Sequence, residues 1–214
     1  MFFPDIKRND IWQNGHNKLC SIEKNGNKFI IENIRDFDHE NNEFNYINKI
    51  YDLENLEKII LHSCPFGFKK LFSHLIIEFC FSGEKSLFLS VESRRQEGEG
   101  FSIIKGCFRH YGLIFVWGTK KDLIHLRTKI RKTKIETYEL MFDDKKMKEG
   151  FLYLIEKTNS LIQNPKYYNS FFCNCVTNLY DVLKIYSKKN IKFSSNIIFS
   201  SKVPNYLKKY GYIK

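Results

Sequence analysis

Leu71-Phe-Ser-His-Leu-Ile-Ile-Glu-Phe-Cys-Phe81, then Ser82-Gly-Glu-Lys85, then Ser86-Leu-Phe-Leu-Ser-Val-Glu-Ser93, is the stretch whose reading decides the fold. Two runs rich in aromatic and branched residues, joined by a short glycine-containing connection, predict a β-hairpin. Upstream, Lys28-Phe-Ile-Ile-Glu-Asn-Ile34 reads as a strand, and the polar stretch from Asp36 to Asn48 as irregular chain. Asp52 to Ile60 is either a short helix capped by Asp52 or a loop leading into a strand. Further strands are expected at Ile103 to Cys107, Leu113 to Trp117, Leu123 to Leu126 and Lys134 to Leu140.

After Leu140 the period changes. Met147, Phe151, Leu154, Ile155, Thr158, Leu161 and Ile162 share one stripe of a helix that must end near Asn164-Pro165. A second helix is expected from Cys175 to Tyr186, with Val176, Leu179, Val182, Leu183 and Tyr186 on its apolar side and Asn174 at the cap. The expected architecture is α+β: an antiparallel β-sheet with helices packed on one face. It forms a single domain, 1–214, in which 1–27 are a surface lead-in, 28–186 the core and 187–214 a basic C-terminal extension.

Composition agrees with one globular unit. The chain has 214 residues, 43% of them hydrophobic and 16% aromatic, enough apolar surface to offset the entropy of folding. Its longest uninterrupted apolar run, Leu113 to Trp117, falls far short of the roughly 20 residues a membrane span needs. The N-terminus lacks the apolar stretch of a secretory signal, so the sequence reads as cytoplasmic as it stands, or as exported if an upstream signal has been removed. Its six cysteines read as reduced thiols, and Cys173-x-Cys175 without a second ligand pair predicts no zinc site. The net charge of +11 is uneven, at −3 over residues 1–68, +6 over 69–150 and +8 over 151–214. Such a surface suits an anionic membrane, nucleic acid or an acidic substrate. Nucleic acid ranks below a membrane surface, because the aromatics are not interleaved with Lys and Arg as in an RNA-binding sheet.

Cys175 is the first candidate for chemistry. A thiol at the first turn of a helix feels unsatisfied amides and the positive end of the dipole, which favour the thiolate. Nucleophilic use also demands a base and a group that orients the base. His74 can supply the base. Glu92, in the paired strand, can orient it, with Ser90 and Arg94 on the same strand face. Simple packing remains the rival reading for both the histidine and the cysteine, and Cys173 stays open as a resolving thiol or as the nucleophile in place of Cys175. The candidate substrate-binding residues are Arg94, Arg95, Asn174 and Tyr168. The two arginines suit a phosphate or carboxylate, or else pair with nearby carboxylates. Pairing is the preferred reading for Arg109 and Arg127.

Several segments occur in one order that resembles the Lnb-type N-terminal periplasmic domain family. They are Ile34-Arg-Asp-Phe37, Ser73-His74, Ser90-Val-Glu-Ser-Arg-Arg95 with Glu97-Gly98-Glu99, Gly106-Cys-Phe-Arg109, Asp122-Leu-Ile-His-Leu-Arg127, and Tyr168-Asn169 through Asn174-Cys175-Val-Thr177. The resemblance spans about residues 30 to 185, and its most specific parts are Ser-Val-Glu-x-Arg-Arg and Asn-Cys-x-Thr. It implies a papain-like thiol fold related to the NlpC/P60 group, circularly permuted so that the histidine strand precedes the cysteine helix. It further implies thioester chemistry on Cys175 with His74 moving the proton and Glu92 orienting it. The family is linked to lipoprotein N-acyltransferases and is normally exported.

The expected function is cysteine-dependent acyl transfer, either to an amine or to water, on an acyl-bearing substrate such as a lipid or lipoprotein, with no metal or organic cofactor. The rivals are a non-catalytic module docking on an anionic membrane surface and a degenerate thiol-fold interaction protein.

Overall fold

The computed structural model describes residues 11–67, 70–186 and 199–213. Eight strands form one mostly antiparallel sheet. They are β1 (Ser21–Asn25), β2 (Lys28–Asp38), β3 (Glu43–Asp52), β4 (Leu56–Phe66), β5 (Phe72–Phe81), β6 (Leu87–Arg94), β7 (Gly112–Gly118) and β8 (Glu136–Glu139). Their order is β1-β2-β7-β6-β5-β4-β8, with β3 on the free side of β2, and the only parallel pairing among them is Arg35 of β2 with Gly118 of β7. The helices are α1 (Ile103–Cys107), α2 (Lys120–Leu123), α3 (Asp144–Gln163), α4 (Cys175–Tyr186) and α5 (Val203–Lys209).

The alternation of side chains along β5 and β6 sorts them between two apolar clusters. Leu75, Ile77, Phe79, Leu87, Leu89 and Val91 face α3 and α4 in the larger one. Phe151 of α3 sits at its centre, edge-on to Phe29, Phe79, Phe81 and Trp117. Burying such a ring is worth roughly 1.5–3 kcal/mol. The Trp117 indole N–H donates to Thr158 Oγ1 at 2.9 Å, so the one polar atom of that ring is satisfied inside the core. Of the expected α3 stripe, only Ile162 lies outside the core, at 41% exposure. The side chain of Tyr186, expected on the apolar side of α4, lies outside the described residues.

Helices on one face is half of the arrangement. The opposite face, carrying Ile76, Phe88, Ile114 and Val116, is covered by Leu123 and Ile124 from α2 and the turn after it. Those residues were expected in a strand. Thr119 instead caps α2, its side chain accepting from the Asp122 N–H. Ile103 to Cys107 is likewise a helix rather than a strand, capped by Ser102. A Cβ at Gly106 would stand 2.2 Å from Ser170 Oγ, so only glycine lets α1 approach the loop before α4 this closely.

Three other segments differ from expectation. Asp36 to Asn48 holds the end of β2, a turn over 39–42 and the first part of β3, a strand at the sheet's edge whose polar side chains face solvent. Asp52 caps a 3₁₀ turn, Leu53–Asn55, that leads straight into β4. In the stretch expected to be a surface lead-in, β1 pairs with β2 across the Asn25-Gly26 turn, Cys20 and Ile22 join the core, and His16 is buried. The described part of the C-terminal extension returns to the fold, with Val203, Tyr206 and Leu207 in the core and Ile213 bridging to Leu140. Among the described residues no helix is long and apolar enough to cross a membrane.

Candidate active site

The site arises where the sheet splits. β5 and β6 pair only from Phe79↔Leu87 to Ile76↔Ser90. Beyond that point β5 stays with β4, through Cys64↔His74, and β6 stays with β7, through Glu92↔Ile114. Extending the register by two residues sets His74 across the widening gap from Glu92. The first turn of α4 lies at the same gap, and the backbone N–H groups of Leu75, Val176 and Cys175 itself favour the Cys175 thiolate. A cleft of about 280 Å³ opens there, with Cys175, His74, Glu92, Arg95, Arg127 and Tyr168 among its lining residues.

Asn174 holds the helix start. Its side-chain oxygen accepts from Val176 N–H at 2.9 Å and Thr177 N–H at 3.1 Å, while its Nδ2 donates to Ser170 O at 2.6 Å. Asn174 therefore lines the cleft and also caps the helix that carries Cys175.

The imidazole is held through an intermediary. His74 Nε2 lies 2.7 Å from Ser90 Oγ, which donates to Glu92 Oε1 at 2.8 Å, whereas His74 and Glu92 themselves stand 4.0 Å apart. The expectation that Glu92 orients His74 is therefore corrected: the contact passes through Ser90. Its single hydroxyl hydrogen faces a carboxylate, so the Ser90 oxygen must accept from His74 Nε2–H, and Nδ1 is left as the basic nitrogen.

Glu92 is anchored from three sides. Burial alone would raise its pKa, but the His16 imidazole and the charges of Arg35 and Arg127 hold it well below the ordinary carboxylate value. Arg127 Nη2 is 3.3 Å from Oε1 and His16 Nε2 is 3.7 Å from Oε2. His16 Nδ1 accepts from the Arg95 N–H at 3.0 Å, which fixes the proton on the nitrogen turned towards Glu92. Arg35 in turn grips Asp122 with two bonds of 2.7 and 2.9 Å.

At rest the pair is uncharged. Burial lifts the Cys175 thiol to about 11 against the opposing amides, and burial with the Arg127 charge lowers His74 to about 3. The arrangement is a thiol and a neutral imidazole that line one cleft, with the basic nitrogen of the imidazole unprotonated.

The remaining predicted residues divide. Tyr168 and Arg95 line the cleft. Arg94 does not: it donates to His16 O at 2.9 Å and lies 4.1 Å over the Trp12 ring, so its predicted place in substrate binding is replaced by a packing role. Cys173 is absent from the cleft lining, and its backbone bonds in both directions with Asn169. Arg127 pairs as expected yet also lines the cleft, as does Arg131, which sequence reasoning passed over. Ser90 was legible from its i, i+2 spacing to Glu92. His16 carried no local signal. All six cysteines are free thiols. Among the described residues, no group of three or more His, Cys, Asp or Glu side chains is arranged to hold a metal.

Residues 43–204 match the family model described as the Lnb N-terminal periplasmic domain. No curated protein and no solved structure matches the chain.

Proposed function

The chain belongs to the Lnb N-terminal periplasmic domain family, and from that membership together with the cleft we propose that it is a cysteine-dependent acyl-transfer enzyme with a circularly permuted, papain-like arrangement. The observation that carries the reading is that Cys175, at the amide-rich start of α4, shares one cleft with His74, whose other nitrogen is tied through Ser90 to Glu92. The family's periplasmic setting points this chain to the same compartment.

In the proposed reaction the Cys175 sulfur attacks an acyl carbonyl while its proton passes to His74 Nδ1. The attacking thiol is protonated at rest, so proton transfer accompanies attack instead of preceding it. The oxyanion is held by backbone N–H groups at the start of α4. His74 then returns the proton to the departing alcohol or amine, leaving a thioester on Cys175, which an amine or water resolves by the same steps in reverse. Phe66, Phe72 and Phe101 in the lining supply apolar surface for an acyl chain of a lipid or lipoprotein. The chemistry calls on no metal or organic cofactor.

The test is single-turnover acylation by p-nitrophenyl hexanoate, followed by intact-mass and peptide mapping. Wild type is expected to gain one acyl group on Cys175, C175A none, and H74A to acylate about 10²- to 10⁴-fold more slowly, the usual contribution of a general base. Acylation that persists in C175A would move the nucleophile elsewhere. A wild type inert to every acyl probe would return the protein to a binding role at an anionic membrane surface.

A further inference from the structure

Three segments border the cleft, and each contributes lining residues: 101–110 through Phe101 and Ile103, 126–135 through Arg127 and Arg131, and 166–174 through Tyr168 and Ser170. Together they hold eight Lys and Arg residues and no Asp or Glu. Lys105, Arg127 and Lys129 are paired with Glu99, Glu92 and Glu40, whereas Arg131, Lys132, Lys134 and Lys166 form no ion pair among the described residues. The same segments expose Phe101, Ile104, Phe108, Ile130 and Phe172, with Ile104 at 72% and Phe172 at 73% exposure. These apolar tips are held in place. Ser170 Oγ donates to Ile103 O and Asn169 Nδ2 to Cys107 O, both at 2.9 Å, which joins α1 and the loop before α4 into one surface. At the tip of that loop the Phe172 N–H donates to Asn169 Oδ1 at 2.9 Å. Holding large apolar side chains in water costs free energy, and a patch of them on a protein surface marks a place of contact.

We propose that this rim is a docking surface whose occupant is a lipid bilayer carrying anionic head groups, with α1, the 126–135 segment and the loop before α4 turned towards it. Ile104 and Phe108 stand four positions apart along α1, with Lys105 and Arg109 next to them in sequence. Apolar tips that enter the boundary below the head groups, with basic neighbours at the level of the phosphates, are the means by which a protein rests on such a surface. A plane of anionic head groups meets all three segments at once, where a folded partner would need a matching shape for each. A second copy of the chain is the poorer occupant, because two such rims would bring like charges together with no carboxylate between them. The docking goes beyond the acyl-transfer reading and does not depend on it, since Ile104, Phe172, Lys132 and Lys134 take no part in the chemistry of Cys175.

The test is co-sedimentation of the full chain, carrying C175A so that no turnover intervenes, with vesicles of phosphatidylcholine alone or mixed equally with phosphatidylglycerol. The mixed vesicles are expected to bind at least about tenfold more tightly, and K132Q/K134Q to lose about tenfold or more of that affinity. Raising the salt from about 0.05 M to about 0.5 M should weaken binding to the mixed vesicles without abolishing it, because screening acts on the charges and not on the inserted side chains. I104E and F172E should lower binding at both salt concentrations while the melting temperature stays that of the parent, both positions being open to solvent. As a control, K24Q/K28Q removes two exposed charges at the β1–β2 turn, at the other end of the sheet, and should leave binding unchanged. Equal binding to the two kinds of vesicle, binding indifferent to I104E and F172E, or a K24Q/K28Q loss as large as that of K132Q/K134Q overturns the proposal. So does a dimer in solution that F172E dissociates, with no binding to either vesicle, which would assign the rim to a second copy of the chain.

Discussion

Ser90 shows how much one hydroxyl can decide. It sits between a neutral imidazole and an ionised carboxylate, accepting from one and donating to the other. Without it, His74 Nε2–H would face Glu92 at 4.0 Å, beyond a direct hydrogen bond. Removing a hydrogen bond to a charged group costs about 1.5–3 kcal/mol, so S90A is expected to slow Cys175 acylation roughly 10- to 100-fold. The loss should appear in kcat with KM little changed, because Ser90 orients the base and touches no substrate. A loss confined to KM would contradict that role. The same residue marks a limit of sequence reading: the spacing of Ser90 and Glu92 put both on one strand face, but which of them meets His74 depends on a fraction of the gap between two diverging strands.

At the scale of elements, the decisive unit is α4. Its start was legible because Asn174 is a capping residue placed immediately before an apolar helical period, and the observed helix begins at Cys175. Loss of such a cap costs about 1 kcal/mol. N174A is therefore expected to lower the melting temperature by about 2–4 °C in a chain of this size. It should also slow alkylation of Cys175, since the first turn that aims the thiol frays. N174D keeps the acceptor for Val176 and Thr177 but gives up the bond to Ser170, and should fall between the two. Melting curves and iodoacetamide kinetics on the three proteins check this; an N174A protein indistinguishable from wild type in both would show that tertiary packing alone fixes the turn. The elements misread from sequence have equally local causes. Ile103 to Cys107 and Leu123 to Leu126 are short apolar runs, which periodicity cannot assign, and their caps at Ser102 and Thr119 became decisive only with the chain folded.

Across the whole molecule the site leaves a signature in acid stability. His74 titrates near 6.5 in an unfolded chain and near 3 when folded, so between those values the unfolded state holds the extra proton. Stability is therefore full above about 6.5 and declines as pH falls towards 3. Glu92, held below the ordinary 4.5 when folded, adds a loss of the same sign at the acid end of that range. The urea midpoint should be lower at about pH 4.5 than at about pH 7, with the difference reduced in H74N. A midpoint that rises on acidification would mean that His74 is charged in the folded state. The molecule also owes its site to two distant regions: His16, from the stretch before β1, braces Glu92, while Ser200, near the start of α5, accepts the Ser73 N–H beside the cleft at 2.6 Å.

The amino-acid sequence by itself determined the α+β class, the β5–β6 hairpin and the two long helices, because alternation, helical period and capping are properties of near neighbours, and it marked Cys175 and His74 as candidates. Only the tertiary structure decided that His74 is held through Ser90, that His16 and Arg127 secure Glu92, and that three arginines share the cleft while Arg94 turns away onto Trp12. Those pairings join residues up to 82 positions apart, as Trp12 and Arg94 are. They exist because the sheet splits beyond Ile76 and Ser90 and admits the end of a helix, a long-range packing event that no local pattern encodes.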